Sequence, residues 1–312
     1  GTFELLNIPS ISTGIAENWI IEGNPKNAIG LSLVALLIIF TLIIFEKFSR
    51  RKSKRWSENP ASQDSQGWEL KNTRALLAIT ISLFPPIFSF GIPCFWIVLN
   101  IDQIQKGVSI ELLTLSLRTI SLGLLTALIT MLFSLIISLA RRQNKSLLLG
   151  LITNLAGIGY AIPGTVLALS LISISSSKFN FIAICLLIWG YLVRFLTISK
   201  GSIDSSLERI SPSLDEAALG LGENWLGIIK RIHLPLLQGP IFVGSLLVFV
   251  DTIKELPITF ILRPFDFDTL SVRIYQYAGD ERMVEAILPA ILIITLGLIA
   301  SITLIPSLEK KN

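Results

Sequence analysis

The sequence predicts an all-α, polytopic membrane protein with about seven transmembrane helices, and three observations carry that reading. Hydrophobic residues make up 52% of the 312 positions and charged residues 15%, where soluble domains carry about 25% charged residues. The mean hydropathy is correspondingly high, at +0.70. The apolar residues gather into runs of about 20, the length a helix needs to cross a bilayer. The basic residues divide unevenly between the two sides those runs define, eighteen on one and seven on the other, which is the positive-inside asymmetry.

The runs lie at about 28–45, 75–99, 112–140, 147–174, 179–198, 236–262 and 286–307. The first is short but cleanly flanked. Behind it, 46–74 holds eight basic residues and opens KFSRRKSKR; its later part, SENPASQDSQGWELKN (57–72), is polar, contains Pro and Gly, and has no apolar period, so it reads as a linker. Four regions follow. Residues 1–74 are an outer segment, one helix and a basic inner linker; 75–108 are a helix and an outer loop; 109–307 are a core of five spans; 308–312 are a tail. The run 147–174 is overlong and carries Gly157, Gly159, Pro163 and Gly164 near its middle, where a break or kink is expected because proline removes a donor and clashes with the preceding turn. Arg141, Arg142 and Lys145 follow the third run. Lys200, Arg209, Lys230 and Arg231 follow the fifth, with Arg194 at its edge, and Lys310 and Lys311 close the chain. This arrangement puts the N-terminus outside and the C-terminus inside, together with the gap between the fifth and sixth runs. The chain starts at Gly1 and its methionines are Met131 and Met283, so it is expected to be trimmed or part of a longer one; the lack of a signal peptide carries no meaning.

Several function classes find no support. Cys94 and Cys185 both sit inside apolar runs, which argues against a disulfide framework or a thiolate metal site. His233 is the single histidine and cannot build a histidine cluster. There is no G-x-x-x-x-G-K-[ST] and no G-x-S-x-G. A membrane-embedded enzyme or assembly factor would need clustered polar groups at the bilayer face, and the sequence lacks them. No catalytic residue, resident cofactor, metal site or nucleic-acid partner is assigned.

The inner gap 211–235 is the most informative stretch. Ser213 with Glu216 three residues on reads as a capping box, with Asp215 and Glu216 in the first turn. Ala217 and Ala218 are small and favour helix, so this helix can lie close against another surface. Gly222 suits the left-handed position that ends a helix. Trp225, Leu226, Ile228 and Ile229 give a second short helix an apolar face, and Pro235 stands where the next membrane helix would begin. His233 is expected to face lipid headgroups or a partner. An interfacial helix lying on the membrane is the plain alternative; a docking surface for an inner partner is the sharper one.

Two further features concern the membrane interior. Asp251, Lys254 and Glu255, spaced i, i+3, i+4 in the run 236–262, are expected to share a helix face, and Asp266 and Asp268 follow in the loop beyond. Ionisable groups at such depth are costly and face a cavity or a partner charge. They either line a path, or Asp251 and Lys254 neutralise each other and lock packing; one lysine leaves the second carboxylate uncompensated. At the interrupted run, Tyr160, Pro163 and Gly164 are expected to face a path, because irregular backbone is tolerated there only where it is buried in protein or lines a cavity. A bare proline kink is the other reading.

The pattern E-A-A-x3-G-x9-I-x-L-P, met by Glu216, Ala217, Ala218, Gly222, Ile232, Leu234 and Pro235, resembles the EAA loop of permease subunits of binding-protein-dependent ABC importers. More narrowly, KELPITFILRPFDFDTLSVRIYQYAGDERMVEAILPA (254–290), GYAIPGTVLALSL (159–171) and IPSISTGIAENW (8–19) are similar to ferric-iron permeases of that superfamily. Those permeases usually carry two repeats, of which a second-repeat equivalent is visible here. The resemblance implies a methionine-importer-like ABC permease core without catalysis of its own. It also implies cytoplasmic ABC ATPase subunits gripping the loop, a periplasmic substrate-binding protein delivering iron, a second permease half, and a place among the lipids of the plasma (inner) membrane. Sister permeases with the same loop carry thiamine, polyamines or oxyanions such as sulfate or molybdate, and these remain the alternative cargoes.

Overall fold

The structure is a computed structural model that describes residues 8–20, 22–50, 70–102, 110–144, 146–174 and 180–309. Most of the expected linker, 51–69, lies outside the described residues, as do 310–312 of the tail. Among the described residues the regular structure is helical throughout. In chain order the helices are α1 (Ile11–Ile20), α2 (Pro25–Arg50), α3 (Thr73–Leu99), α4 (Ile110–Gln143), α5 (Leu147–Ala156), α6 (Gly164–Ile174) and α7 (Asn180–Leu207). They continue as α8 (Pro212–Gly220), α9 (Trp225–Ile228), α10 (Leu234–Ile253), α11 (Pro257–Leu262), α12 (Leu270–Gly279) and α13 (Met283–Glu309), with a π turn at Ile229–His233 leading into α10. Six of these stretches are long and apolar enough to cross a membrane, and the bent pair α5–α6 makes a seventh if it counts as one span. The chain is a multi-pass membrane protein.

Residues up to Leu37 and from Ser109 onward form one compact unit, and Ile38–Val108 another. In the second, α3 carries Pro85, Pro86 and Pro93 inside its length and buries none of its residues. The first unit is built on α4, α7 and α10, which pack on one another. One face of α4 explains why: Thr119, Gly123, Thr126, Thr130, Ser134 and Ser138 recur every three or four residues and are buried. Lipid is as apolar as leucine, so helices in a bilayer associate through close approach of small residues and through hydroxyl hydrogen bonds. A Cβ on Gly123 would come 2.8 Å from the Phe249 ring of α10, and one on Gly244 would come 2.7 Å from Met131 Cε of α4. Ser134 and Ser199 hydrogen-bond across the α4–α7 seam, Ser138 Oγ donates to Asp204 Oδ1 at 2.6 Å, and Ser202 Oγ donates to the Pro240 carbonyl at 2.8 Å. The largest buried side chains, Tyr191 and Phe195, fill the space between α7, α6 and α11.

Two expectations change here. The fifth span does not stop at 198; α7 runs to Leu207, so Arg194 lies well inside a helix rather than at a loop edge. The run 236–262 is two helices. Pro257 has no N–H to continue the ladder of α10 and instead takes the first-turn position of α11, so α10 closes at Ile253 with Lys254 as its cap. Asp251, Lys254 and Glu255 therefore do not share one helix face.

Candidate functional site

The 208–233 connection joins the end of α7 to the start of α10 and folds as a helix, a turn and a helix. Its cap is Ser211, whose Oγ accepts from the Ser213 amide with Pro212 in the first turn, so the capping residue is two positions earlier than the Ser213 the sequence suggested. Pro212 decides this, because a proline fits the first helical position and needs a cap before it. Gly222 has φ +87°, the left-handed value expected of it. The Gly222 amide donates to Leu219 O at 3.0 Å and the Glu223 amide to Ala218 O at 3.1 Å, which closes α8 as a Schellman turn. Asn224 caps α9 by accepting from Gly227 N at 2.7 Å. Pro235 lies in the first turn of α10, as expected.

The loop offers a mixed surface to its surroundings. Glu216 and Ala217 are exposed, Ala218 is buried, and Leu221 and Leu226 stand out at 88% and 67% exposure. Its inner side is tied to the bundle by charge. Arg142, at the end of α4, donates from Nε to Asp215 Oδ2 at 2.6 Å and also donates to the carbonyls of Leu207 at 2.7 Å and Ile210 at 3.0 Å. His233 does not face outward: it is fully buried, its Nε2 lies 3.1 Å from Asp215 Oδ1, and its ring packs 5.8 Å from that of Trp225. The π turn carries it inward. Arg142, Asp215 and His233 thus join the end of α4, the helix α8 and the entry to α10.

The second site lies where two helix breaks meet. Between α5 and α6 the chain turns by 113°, too sharp for a kink in a continuous helix. Ile162 is extended ahead of Pro163, as a residue before proline prefers to be. Gly159 is pressed onto α7, and a Cβ there would fall 1.8 Å from the Val193 carbonyl oxygen. Opposite stands the α10–α11 break. Arg194 of α7 joins the two: its Nη1 donates to Ile162 O at 3.4 Å, its Nε is 3.6 Å from Glu255 Oε2, and its guanidinium sits 5.6 Å from the Tyr160 ring centroid. Glu255 is 7% exposed and its Oε1 accepts from the Ile258 amide at 3.3 Å, capping α11. A Cβ on Gly164 would meet Arg194 Nη1 at 2.8 Å and Glu255 Oε1 at 3.0 Å.

Tyr160, Pro163, Gly164 and Glu255 are therefore neighbours, gathered around Arg194, which the sequence places at a loop edge. An arginine within IWGYLVRFLTI, among apolar residues on both sides, was the available signal. Asp251 is not part of the group; it pairs with the exposed Lys254 at 2.8 Å, which is the self-neutralising reading. Asp268 is held by Arg263, and by Arg273 at 3.3 Å. Among the described residues no three His, Cys, Asp or Glu side chains are grouped to hold a metal ion.

This bundle, with its broken helices, shares its fold with chains of solved bacterial ABC transporters. A chain of a bacterial alginate ABC transporter, solved in complex with an alginate-pentasaccharide-bound periplasmic protein, aligns with TM-score 0.52 and 16% identity over 74% of this chain and 92% of that one. A second structure, of a bacterial ABC transporter involved in import of the acidic polysaccharide alginate, aligns with TM-score 0.50 and 16% identity over 75% and 94%. In sequence, the chain is 25% identical over 295 residues, 92% of its length, to the Fe(3+)-transport system permease protein FbpB 2 of Haemophilus influenzae, and it spans 58% of that relative. No family model matches the chain.

Proposed function

We propose that this chain is the transmembrane permease subunit of an ATP-driven importer, with ferric iron as the cargo. The 211–235 loop carries the reading, because it presents an exposed face while its inner side is fastened to the bundle by the buried Arg142–Asp215 pair. In this scheme the loop faces the cytoplasm, an ABC ATPase subunit grips Glu216, Ala217 and the exposed Leu221 and Leu226, and a periplasmic binding protein delivers the cargo on the far side. Closure of the ATPase pair displaces α8, and Arg142 and His233 pass that displacement through Asp215 to α4 and α10. Those two helices pack on α7, whose Arg194 holds both helix breaks. Rocking the loop would thereby open and close the region around Tyr160, Pro163, Gly164 and Glu255, which we assign to the path. A second permease half supplies the facing wall. Likeness to the Haemophilus protein supports iron over thiamine, polyamine or oxyanion cargo.

The loop assignment is tested by Glu216→Lys, which reverses the charge on the exposed face of α8, and by Gly222→Val, which forces a β-branched residue to φ +87°. Uptake and ATPase co-purification should fall in both variants while expression in the membrane holds. Full uptake in both would refute the docking role.

A further inference from the structure

The cavity beside the two helix breaks has a chemical character of its own. It measures about 240 Å³ and is bordered by Ser12, Thr165, Arg194, Phe260 and Tyr275. That is below the roughly 300–1,000 Å³ of sites for drug-sized ligands, so it suits a small ion. No carboxylate lines it; Glu255 stands behind Arg194 and is occupied by the guanidinium and the Ile258 amide.

What faces the cavity is donors. Thr165 is 9% exposed, and its buried Oγ1 has no hydrogen-bond partner. Arg194 also borders the cavity, with its Nε turned to Glu255 Oε2 at 3.6 Å. The floor is the N-terminus of α6, where the first amides of any helix lack an internal acceptor. Pro163 precedes Gly164 and has no side-chain oxygen to cap them; the first ladder bond there is from Leu167 N to Pro163 O. Buried donors left without acceptors are uncommon and costly. A guanidinium, a hydroxyl and a helix N-terminus converging on one small space is an arrangement suited to an oxyanion.

We propose that this cavity binds a small oxyanion of the phosphate type through the α6 N-terminus, the Thr165 hydroxyl and the Arg194 guanidinium. The site stands on these side chains and not on the cargo assigned above. Free phosphate and the phosphate of an anionic lipid headgroup share this chemistry.

The test is equilibrium binding of radiolabelled inorganic phosphate to the full chain in phosphatidylcholine nanodiscs at constant ionic strength. Saturable binding is expected. Thr165→Val, which removes one hydroxyl at equal volume, should weaken it by about 3–10-fold. The paired change Arg194→Gln with Glu255→Gln removes both charges, leaves no buried ion alone, and should weaken it by more than about tenfold. Either variant binding as tightly as the parent, with a normal elution profile, overturns the proposal, as does the absence of saturable phosphate binding to the parent. Repeating the titration with phosphatidylglycerol in the discs separates the sources. Competition assigns the site to a headgroup phosphate and indifference to the free ion, and each supports an oxyanion site.

Discussion

Replacing Asp215 by alanine should loosen α8 from the bundle without unfolding it. Arg142 and Asp215 are 13% and 12% exposed in their side chains and meet at 2.6 Å, so the bond is close to fully buried. Removing one member of a buried pair costs about 3–5 kcal/mol when the other is stranded. Arg142 is not stranded, because it keeps the carbonyls of Leu207, Ile210 and Ser211 as acceptors. The loss should therefore sit lower, at about 2–3 kcal/mol, including the lost link to His233. Every 1.4 kcal/mol is tenfold, so transient opening of α8 should rise by roughly 30–140-fold. Amide hydrogen exchange reads this directly, with protection across Pro212–Gly220 falling by that factor while Tyr191 and Phe195 of the core hold theirs. Glu216→Ala, on the exposed face one residue away, should change exchange by well under tenfold and serves as the control. If α8 in the Asp215 variant exchanges within threefold of the parent, the buried pair does not hold the loop and the mechanical link to α4 fails.

Three other outcomes follow from the geometry. Gly159→Ala drives a Cβ into the Val193 carbonyl at 1.8 Å, a backbone-to-backbone clash that neither side can relieve by rotation, so it should cost about 3 kcal/mol or more and deplete folded protein in size-exclusion chromatography; normal yield and melting temperature would contradict the contact. Asp251→Asn touches a pair whose lysine is 60% exposed and should shift stability by under about 1 kcal/mol, whereas Glu255→Gln leaves Arg194 without its buried counter-charge and should cost about 3 kcal/mol; equal melting shifts in the two variants would contradict the separation of these carboxylates. For the same reason uptake should fall with Glu255→Gln and stay near normal with Asp251→Asn, and the reverse order would place Asp251 in the path instead.

Much of this architecture was legible because it rests on local rules. Run length located the spans, Gly222 marked the left-handed turn, Pro235 marked the start of α10, and the cluster from Gly159 to Gly164 marked the break. What was not legible depended on tertiary contacts. Ser199, Lys200, Ser202 and Asp204 lower the hydropathy beyond 198, yet their polar groups are satisfied against α4 and α10 or along α7 itself, so α7 continues to Leu207. A span ending at 198 places Arg194 at a loop edge, whereas within α7 it joins both breaks. Spacing put Asp251 and Glu255 on one helix face, but Pro257 ends the ladder before Glu255 and sends the two side chains to different partners. His233 looked like a surface residue because burial of a lone polar ring needs a partner, and that partner, Asp215, is eighteen positions away on another helix.

Site-specific cross-linking can show whether the 211–235 loop docks on an ABC ATPase, as proposed. Cysteine placed at Leu221, which is 88% exposed, should form a bifunctional cross-link to the ATPase subunit in membranes, with a yield that changes on adding ATP. Cysteine placed at Leu113, 65% exposed near the start of α4 and far along that helix from Arg142, should give none. Cross-linking from Leu113 but not from Leu221, with both variants expressed and active in uptake, would contradict the claim.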